Sequence, residues 1–164
     1  MEHRNNVIIR KAKKDDMYQV CQLIKELAIH EKCEQECVMT PEILIADGFA
    51  SPDPPFKMFV ADVNGQIVGY SAYFNGYRTN TGNFIFLQDL FVSLQYRNEG
   101  IGKKLFQSVA KVASKTASKR LELHCLSWNP SLEFYLKMGF RNTTEINGWN
   151  YLIIDGDNLS KHVE

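Results

Sequence analysis

An excess of charge of either sign is the first thing this chain lacks: nineteen Lys and Arg are balanced by nineteen Asp and Glu. A neutral surface sets up no global field to recruit nucleic acid or an anionic membrane. Any charged partner must be held by a local patch, which suits a small molecule better than a polymer. Also missing is any apolar run approaching the ~18 residues of a membrane span. The opening MEHRNNVIIRKAKKDD has no apolar stretch of the signal-peptide kind. A cytoplasmic protein with no nucleic-acid or membrane partner is expected. Clustered cysteines are absent too: Cys21, Cys33, Cys37 and Cys125 make no CxxC and match no zinc module. His30, Cys33 and Cys37 lie near one another in sequence, but no second clustered pair accompanies them. No metal is expected, and the thiols read as reduced. No internal repeat or low-complexity tract interrupts the chain. What remains is 164 residues, 45% of them hydrophobic, enough for one domain over 1–164 with a real core.

The residues then order themselves. VIIR at 7 to 10 is a β-rich run, and in DDMYQVCQLIKELAIHE the residues Met17, Val20, Cys21, Ile24, Leu27 and Ala28 recur at helical spacing, with Asp15 or Asp16 as cap. Thr40-Pro41-Glu42 predicts a second helix start and Gly48 its stop. From Phe56, two β-rich runs meet at Asn64-Gly65, a hairpin signal. NGYRTNTGN reads as a loop and FIFLQDLFV at 84 to 92 as a third long strand. A helical stripe through Leu105, Val109, Val112 and Ala113 runs to about Ala117. RLELHCL at 120 to 126 returns to strand, PSLEFYLKMG is a short helix, and an aromatic hairpin ends in GWNYLIID. The order is β-α-α-β-β-β-α-β-α-β-β, an α/β domain with a mixed sheet.

Between that third strand and the helix lies YRNEGIGKKLF. A glycine-bearing turn that opens a helix aims free N–H groups and the positive end of the dipole at one point, an anion site. Gly100 and Gly102 permit positive φ and bare backbone approach, while Arg97 and Lys103 or Lys104 add charge. The plain alternative is a tight turn with no ligand. The nucleotide P-loop GxxxxGK[ST] fails at Arg97 and Lys104, and the dinucleotide fingerprint fails at Leu105.

R-x-x-G-x-G, here Arg97-Asn98-Glu99-Gly100-Ile101-Gly102, resembles the acetyl-CoA loop of the GNAT superfamily of N-acetyltransferases. The likeness extends to VIIRKAKKDDMYQVCQLIKELA, ADGF, LQDLFV, FYLKMGF and GWNYLIID, nearly the whole chain. Within the superfamily the set is most similar to diamine (spermidine/spermine) and thialysine acetyltransferases. The resemblance implies the GNAT fold: a mixed sheet of about seven strands splayed in the middle, with about four helices. It further implies acetyl-CoA as co-substrate, no metal, a small primary amine as acceptor by direct attack, and a homodimer. The backbone of Arg97, Asn98, Glu99, Gly100, Ile101, Gly102 and Lys103 would hold the pyrophosphate. Leu90, Phe91 and Val92 would pair with the pantetheine arm, an N–H near Phe91 or Val92 facing the thioester oxygen. The resemblance would make Asn129 and Ser131 further coenzyme contacts, although WNPSLEFY is one residue shorter than the family's usual spacing.

Tyr135 falls where the family has its proton donor. A phenol of pKa ~10 keeps its proton at neutral pH and can release it to a thiolate; the alternative is a core tyrosine like Phe134 and Phe140. The amine, with pKa ~10.4, needs its proton taken. The diamine enzymes carry a Glu-Asp pair that here reads Gln88-Asp89. An amide is no base, and because neighbouring strand residues face opposite sides, Asp89 is not expected to inherit that geometry. Arg78 and Asn147 stand in rough register with pocket acids, and His30, Glu31 and Trp149 complete the substrate set; Glu31, Glu26, Trp128, Trp149 and His124 each have a structural reading as well. Losing acids and gaining Arg78 disfavours a long polycation and suits a carboxylate-bearing amine such as thialysine, lysine or ornithine. The competing function is an acetyl-CoA-binding sensor or scaffold with little turnover, argued for by Gln88 and against by Tyr135.

Overall fold

The computed structural model describes residues 6–117, 119–148 and 150–162. They form two compact units, the first ending at His124 and the second starting at Cys125. In the first, β1 (Val7–Lys11), β2 (Lys57–Val63), β3 (Gln66–Arg78), β4 (Gly82–Val92) and β5 (Leu121–Glu122) lie side by side in that order. The first four are antiparallel neighbours, and β5 joins β4 in parallel. This is a mixed sheet as expected, with five strands among the described residues instead of about seven.

Successive strand side chains face opposite sides, and two apolar layers follow. Met58, Val60, Tyr70, Ala72 and Phe91 pack with Met17, Val20, Cys21 and Leu23 of α1 (Met17–His30) and Leu44 of α2 (Pro41–Phe49). Ala61, Val63, Val68 and Val92 pack with Ile101 and Leu105 of α3 (Ile101–Ala113). The predicted Asn64-Gly65 turn forms with both residues at positive φ, 52° and 89°, the twist that a two-residue hairpin requires. Thr40 caps α2 as predicted, its hydroxyl oxygen accepting the Ile43 N–H at 3.3 Å with Pro41 following. Thr40→Ala is expected to cost about 1 kcal/mol in a urea or thermal melt.

Several expectations are corrected. Residues 75 to 83 are not a loop: β3 and β4 run to Arg78 and from Gly82, so the turn is far tighter. Gly76, which suggested a loop, is a strand residue over which the Phe84 ring lies; a Cβ there would fall 2.3 Å from that ring. Gly48 sits inside α2 against Phe56 and does not stop it. α3 ends at Ala113, where the hydroxyls of Ser114 and Thr116 donate to the carbonyls of Lys111 and Ala113 and turn the chain out of the helix. The strand foreseen over 120–126 shrinks to Leu121–Glu122, and the reason lies in β4, described below. Asp16 makes no side-chain cap on α1; its carboxylate accepts from Lys13 N–H at 2.6 Å and from Arg10 at 2.7 and 2.8 Å. Arg10 also reaches Asp62, whose other oxygen accepts the Gly65 N–H at 2.7 Å, so one guanidinium ties β1, the entry to α1, β2 and the hairpin turn together.

The second unit holds α4 (Ser131–Lys137), α5 (Thr143–Asn147) and α6 (Gly156–Ser160), giving six helices among the described residues where about four were expected. No strand occurs among residues 150 to 155, and Tyr151, Leu152, Ile153 and Ile154 are exposed. Their β-rich composition expresses a fit to a half-buried pleated surface, and here no ladder neighbour supplies one.

Candidate active site

Asn98 and Gly100 adopt positive φ, 65° and 77°, turning the chain after the short 3-10 helix Leu94–Tyr96 so that Gly100 becomes the N-cap of α3. The Lys104 N–H is bonded back to the Gly100 carbonyl at 3.1 Å, which leaves the N–H groups of Ile101, Gly102 and Lys103 as the orphan donors of the first turn. Gly102 lies within the helix, where glycine costs about 1 kcal/mol relative to alanine. Among the described residues nothing requires it: an added Cβ would meet only Val92 Cγ2, at 3.9 Å. Arg97 does not point along this turn. Its Nε donates to the Val92 carbonyl at 2.9 Å and its guanidinium lies over the Phe91 ring, bracing the end of β4. Asn98, Glu99, Gly100 and Lys103 are exposed, and Ile101 is buried against the α3 layer.

β4 pairs with β3 along its length but with β5 only at Ile85 and Phe86. From Leu87 to Val92, a stretch that contains Leu90 and Phe91, β5 gives it no partner. The register between β3 and β4 explains the divergence: Ala72 opposes Asp89 and Tyr73 opposes Leu87, so Gln88 is the extra residue of a β-bulge. A bulge bends its strand and increases its twist just after the last β5 pair.

The bulge also resets the faces. Tyr70, Ala72 and Phe74 share one side of β3. Phe74 stacks on its partner Phe86 at 5.0 Å, while Tyr70 meets the Phe91 ring and donates its hydroxyl to Asp89 Oδ2 at 3.0 Å. Phe86, Asp89 and Phe91 therefore lie on the same face. Strict alternation from Phe86 would have put Gln88 there and turned Asp89 away; the bulge places Asp89 on that face instead. Gln88 is exposed. Burial pushes the Asp89 carboxyl up to about 6, the Tyr70 hydrogen bond opposes this, and the Glu31 charge adds to it. Burial, then Asp89, holds the Tyr70 phenol well above its usual value. Glu31, just past the end of α1, is itself raised by burial. Glu26 accepts from the Ser93 hydroxyl at 3.3 Å, joining α1 to the residue after β4.

Arg78 ends β3 with its Nε and Nη2 on the two oxygens of Glu122, at 2.9 and 2.6 Å. Arg120 contacts the same carboxylate at 2.7 Å. The Arg78 hydrogen bond is the largest influence holding Glu122 below the usual carboxylate range. His124 meets the Phe86 ring edge-on at 4.9 Å, and His30 is the half-buried last residue of α1. Thus Glu31, Tyr70 and Asp89 form one neighbourhood, and Arg78, Glu122, Phe86 and His124 another, where β3, β4 and β5 meet.

In the second unit, Asn129 is buried and acts as cap for α4: its Oδ1 accepts from Ser131 N–H and its carbonyl from Leu132 N–H, both at 2.9 Å, with Pro130 between them in helical conformation. The tighter turn is thus closed by Asn129 itself. Tyr135 is buried between Phe134 and Phe140, rings 5.4 and 5.6 Å away. Asn147 is the exposed last residue of α5, and Trp149 lies outside the described residues.

The profile of the acetyltransferase (GNAT) family matches residues 17–140. The chain belongs to the GNAT acetyltransferase family. Among similar GNAT proteins, a thialysine N-epsilon-acetyltransferase of Sus scrofa is 35% identical over 161 residues, covering 93% of this chain and 94% of the relative. A spermidine/spermine N(1)-acetyltransferase-like protein 1 of Homo sapiens is 28% identical over 92% of this chain and 23% of its own length. An integron cassette protein from the mobile metagenome of V. cholerae superposes with a TM-score of 0.74 at 22% identity, over 94% of this chain and 96% of that one, a likeness of fold. The GNAT assignment makes the protein an N-acetyltransferase. No group of three or more metal-ligating side chains occurs among the described residues.

Two hydrogen-bond partners of the candidate site residues were not legible in the sequence. Tyr70 lies within the β-rich run VGYSAYF, whose pattern does not disclose which residue accepts from its buried hydroxyl. Glu122 was one charge of a short strand, with its Arg78 partner at the end of another.

Proposed function

We propose that this protein transfers the acetyl group of acetyl-CoA, by direct attack, to the primary amine of a small substrate of the thialysine, lysine-like amino acid or polyamine class. The observation that carries the reading is Gly102: a helical glycine that no atom of the described residues demands, beside three orphan N–H groups and a left-handed Gly100. Such a cradle fits a diphosphate, whose oxygens need bare backbone and the positive helix end. In this reading residues 97 to 103 hold the diphosphate, and Arg97 acts by bracing Val92. The Leu90–Val92 backbone, unpaired by β5, lines the arm, with an N–H near Phe91 or Val92 meeting developing negative charge on oxygen. The coenzyme supplies an acyl group activated as a thioester. Tyr135 is the proposed proton source for the leaving sulfur, with Asn129 and Ser131 as coenzyme contacts. His30, Glu31, Asp89, Gln88, Asn147 and Trp149 are proposed for the amine side. Arg78 enters with Glu122 already on two of its nitrogens, so a substrate carboxylate would be met by Nη1 with Arg120 nearby. Cytoplasmic location and a homodimer belong to the same proposal and rest on the resemblance.

The second reading is a coenzyme-binding module without turnover, and Gln88 favours it because an amide accepts no proton. A thiol-release assay with acetyl-CoA over thialysine, ornithine, putrescine and spermidine separates the two. Free CoA above background with at least one amine is expected, with thialysine ahead of spermidine. Coenzyme binding without release for any amine would support the sensor, and a clear spermidine preference would remove Arg78 from substrate recognition. Tyr135→Phe is expected to lower kcat about tenfold to a hundredfold with little change in acetyl-CoA binding by calorimetry.

A further inference from the structure

The acetyl-transfer reading leaves a gap: the residue in the family's base position is Gln88, yet an ammonium of pKa ~10.4 must lose a proton before it can attack. Asp89 follows the bulge residue and feels the charge of Glu31; of these two acids, Asp89 is held by a directed bond from Tyr70. Tyr70, fully buried, presents its hydroxyl to Asp89 Oδ2 at 3.0 Å, which fixes the carboxylate's orientation and leaves Oδ1 to meet another donor. The extra residue at 88 puts Asp89 on the face of Phe86 and Phe91, the face on which alternation would have placed residue 88 itself.

We infer that Asp89 is the proton acceptor for the substrate ammonium, and that Tyr70 is the positioning residue that holds it in place. The inference rests on the acetyl-transfer reading. Of the ammonium's three protons, one passes to Asp89 and on to water. The nitrogen lone pair forms the N–C bond as the C–S bond breaks with its electron pair leaving on sulfur. A second proton from nitrogen balances the one the thiolate takes up, and the third stays on the amide. The groups that act on Asp89 are Tyr70 from β3 and Glu31 from the end of α1, with Cys37 acting on Tyr70; neither α3 nor β5 contributes a charge to it. Burial raises the carboxyl to about 6, which makes it a stronger base than a solvated aspartate while it stays ionised at neutral pH.

The test uses the full chain with its best amine and saturating acetyl-CoA, from pH 5.5 to 9.5. Asp89→Asn keeps an acceptor for Tyr70 and is expected to lower kcat about a hundredfold at pH 7, the gap closing to under about tenfold at pH 9.5 where more amine is already neutral. Tyr70→Phe removes a hydrogen bond that favours the ionised carboxylate. The acid limb of its kcat profile therefore moves to higher pH, with KM for the amine within about twofold; a merely structural tyrosine would leave the limb where it was. Full activity of Asp89→Asn at pH 7, an unmoved limb in Tyr70→Phe, or a hundredfold loss in Gln88→Ala instead would each overturn the inference. If Asp89→Asn is equally impaired at pH 9.5, proton acceptance is overturned while acetyl transfer stands. A wild-type protein that releases no thiol with any amine removes both.

Discussion

Gly102→Asp is expected to abolish measurable acetyl-CoA binding while leaving the fold intact or slightly more stable. The two halves of this result have separate causes. An added Cβ at 102 meets only Val92 Cγ2, at ordinary van der Waals distance, so no repacking is forced. Replacing a helical glycine removes an entropic cost of about 1 kcal/mol, partly offset because aspartate is itself a weak helix former. A carboxylate in the first turn also sits favourably against the helix dipole, by about 0.3–1 kcal/mol. The same carboxylate occupies the place proposed for a diphosphate and repels it. Loss of two charge-assisted hydrogen bonds at about 1.5–3 kcal/mol each approaches a thousandfold or more in Kd. Calorimetry with acetyl-CoA beside a thermal melt reads both halves. Retained affinity with an unchanged Tm would show that the glycine turn holds no diphosphate.

The largest loss of stability is expected from Asp16→Ala. Asp16 accepts two hydrogen bonds from the Arg10 guanidinium and one from the Lys13 amide. Its removal frees Arg10 from its bidentate partner and orphans the first amide of the turn that enters α1. Breaking a fully buried pair costs about 3–5 kcal/mol; with the Arg10 side chain 24% exposed and Asp62 still bonded, about 2–3 kcal/mol is expected in urea denaturation. The pH dependence has a definite sign. The Arg10 hydrogen bonds hold the Asp16 carboxyl below its usual value, so its contribution is complete above the unfolded value near 4 and is lost as pH falls through the lower folded one. Wild type should lose stability more steeply than Asp16→Ala below about pH 4.

What the residues disclosed was local. Asn64-Gly65, Thr40-Pro41 and the apolar stripes of α1 and α3 carry their own conformational reasons, and each element formed where its signal lay. The glycine turn at the start of α3 was legible because Gly100 can take the positive φ that the turn requires. The failures share a different physics. Gly76 and Gly82 read as loop, but Gly76 is kept in β3 by the Phe84 ring from the facing strand. YLII at 151 to 154 reads as strand, but a strand exists only with a ladder partner. Arg78 reads as suited to a substrate carboxylate, but Glu122, 44 residues on, already holds two of its nitrogens. Tyr70 and Asp89 are 19 residues apart, and a hydrogen bond between facing strands leaves no trace in either one's pattern. The Gln88 bulge is the sharpest case: alternation is a property of one strand, whereas two residues opposing one is a property of a pair.

That single extra peptide unit does two jobs at once, turning Asp89 toward Tyr70 and bending β4 out of reach of β5 after Phe86. Neither depends on what side chain position 88 carries. The quantity that matters there is a length and not a letter: exchange of the glutamine for another residue leaves the bend in place, whereas excising it would straighten the strand and return Asp89 to the opposite face from Tyr70.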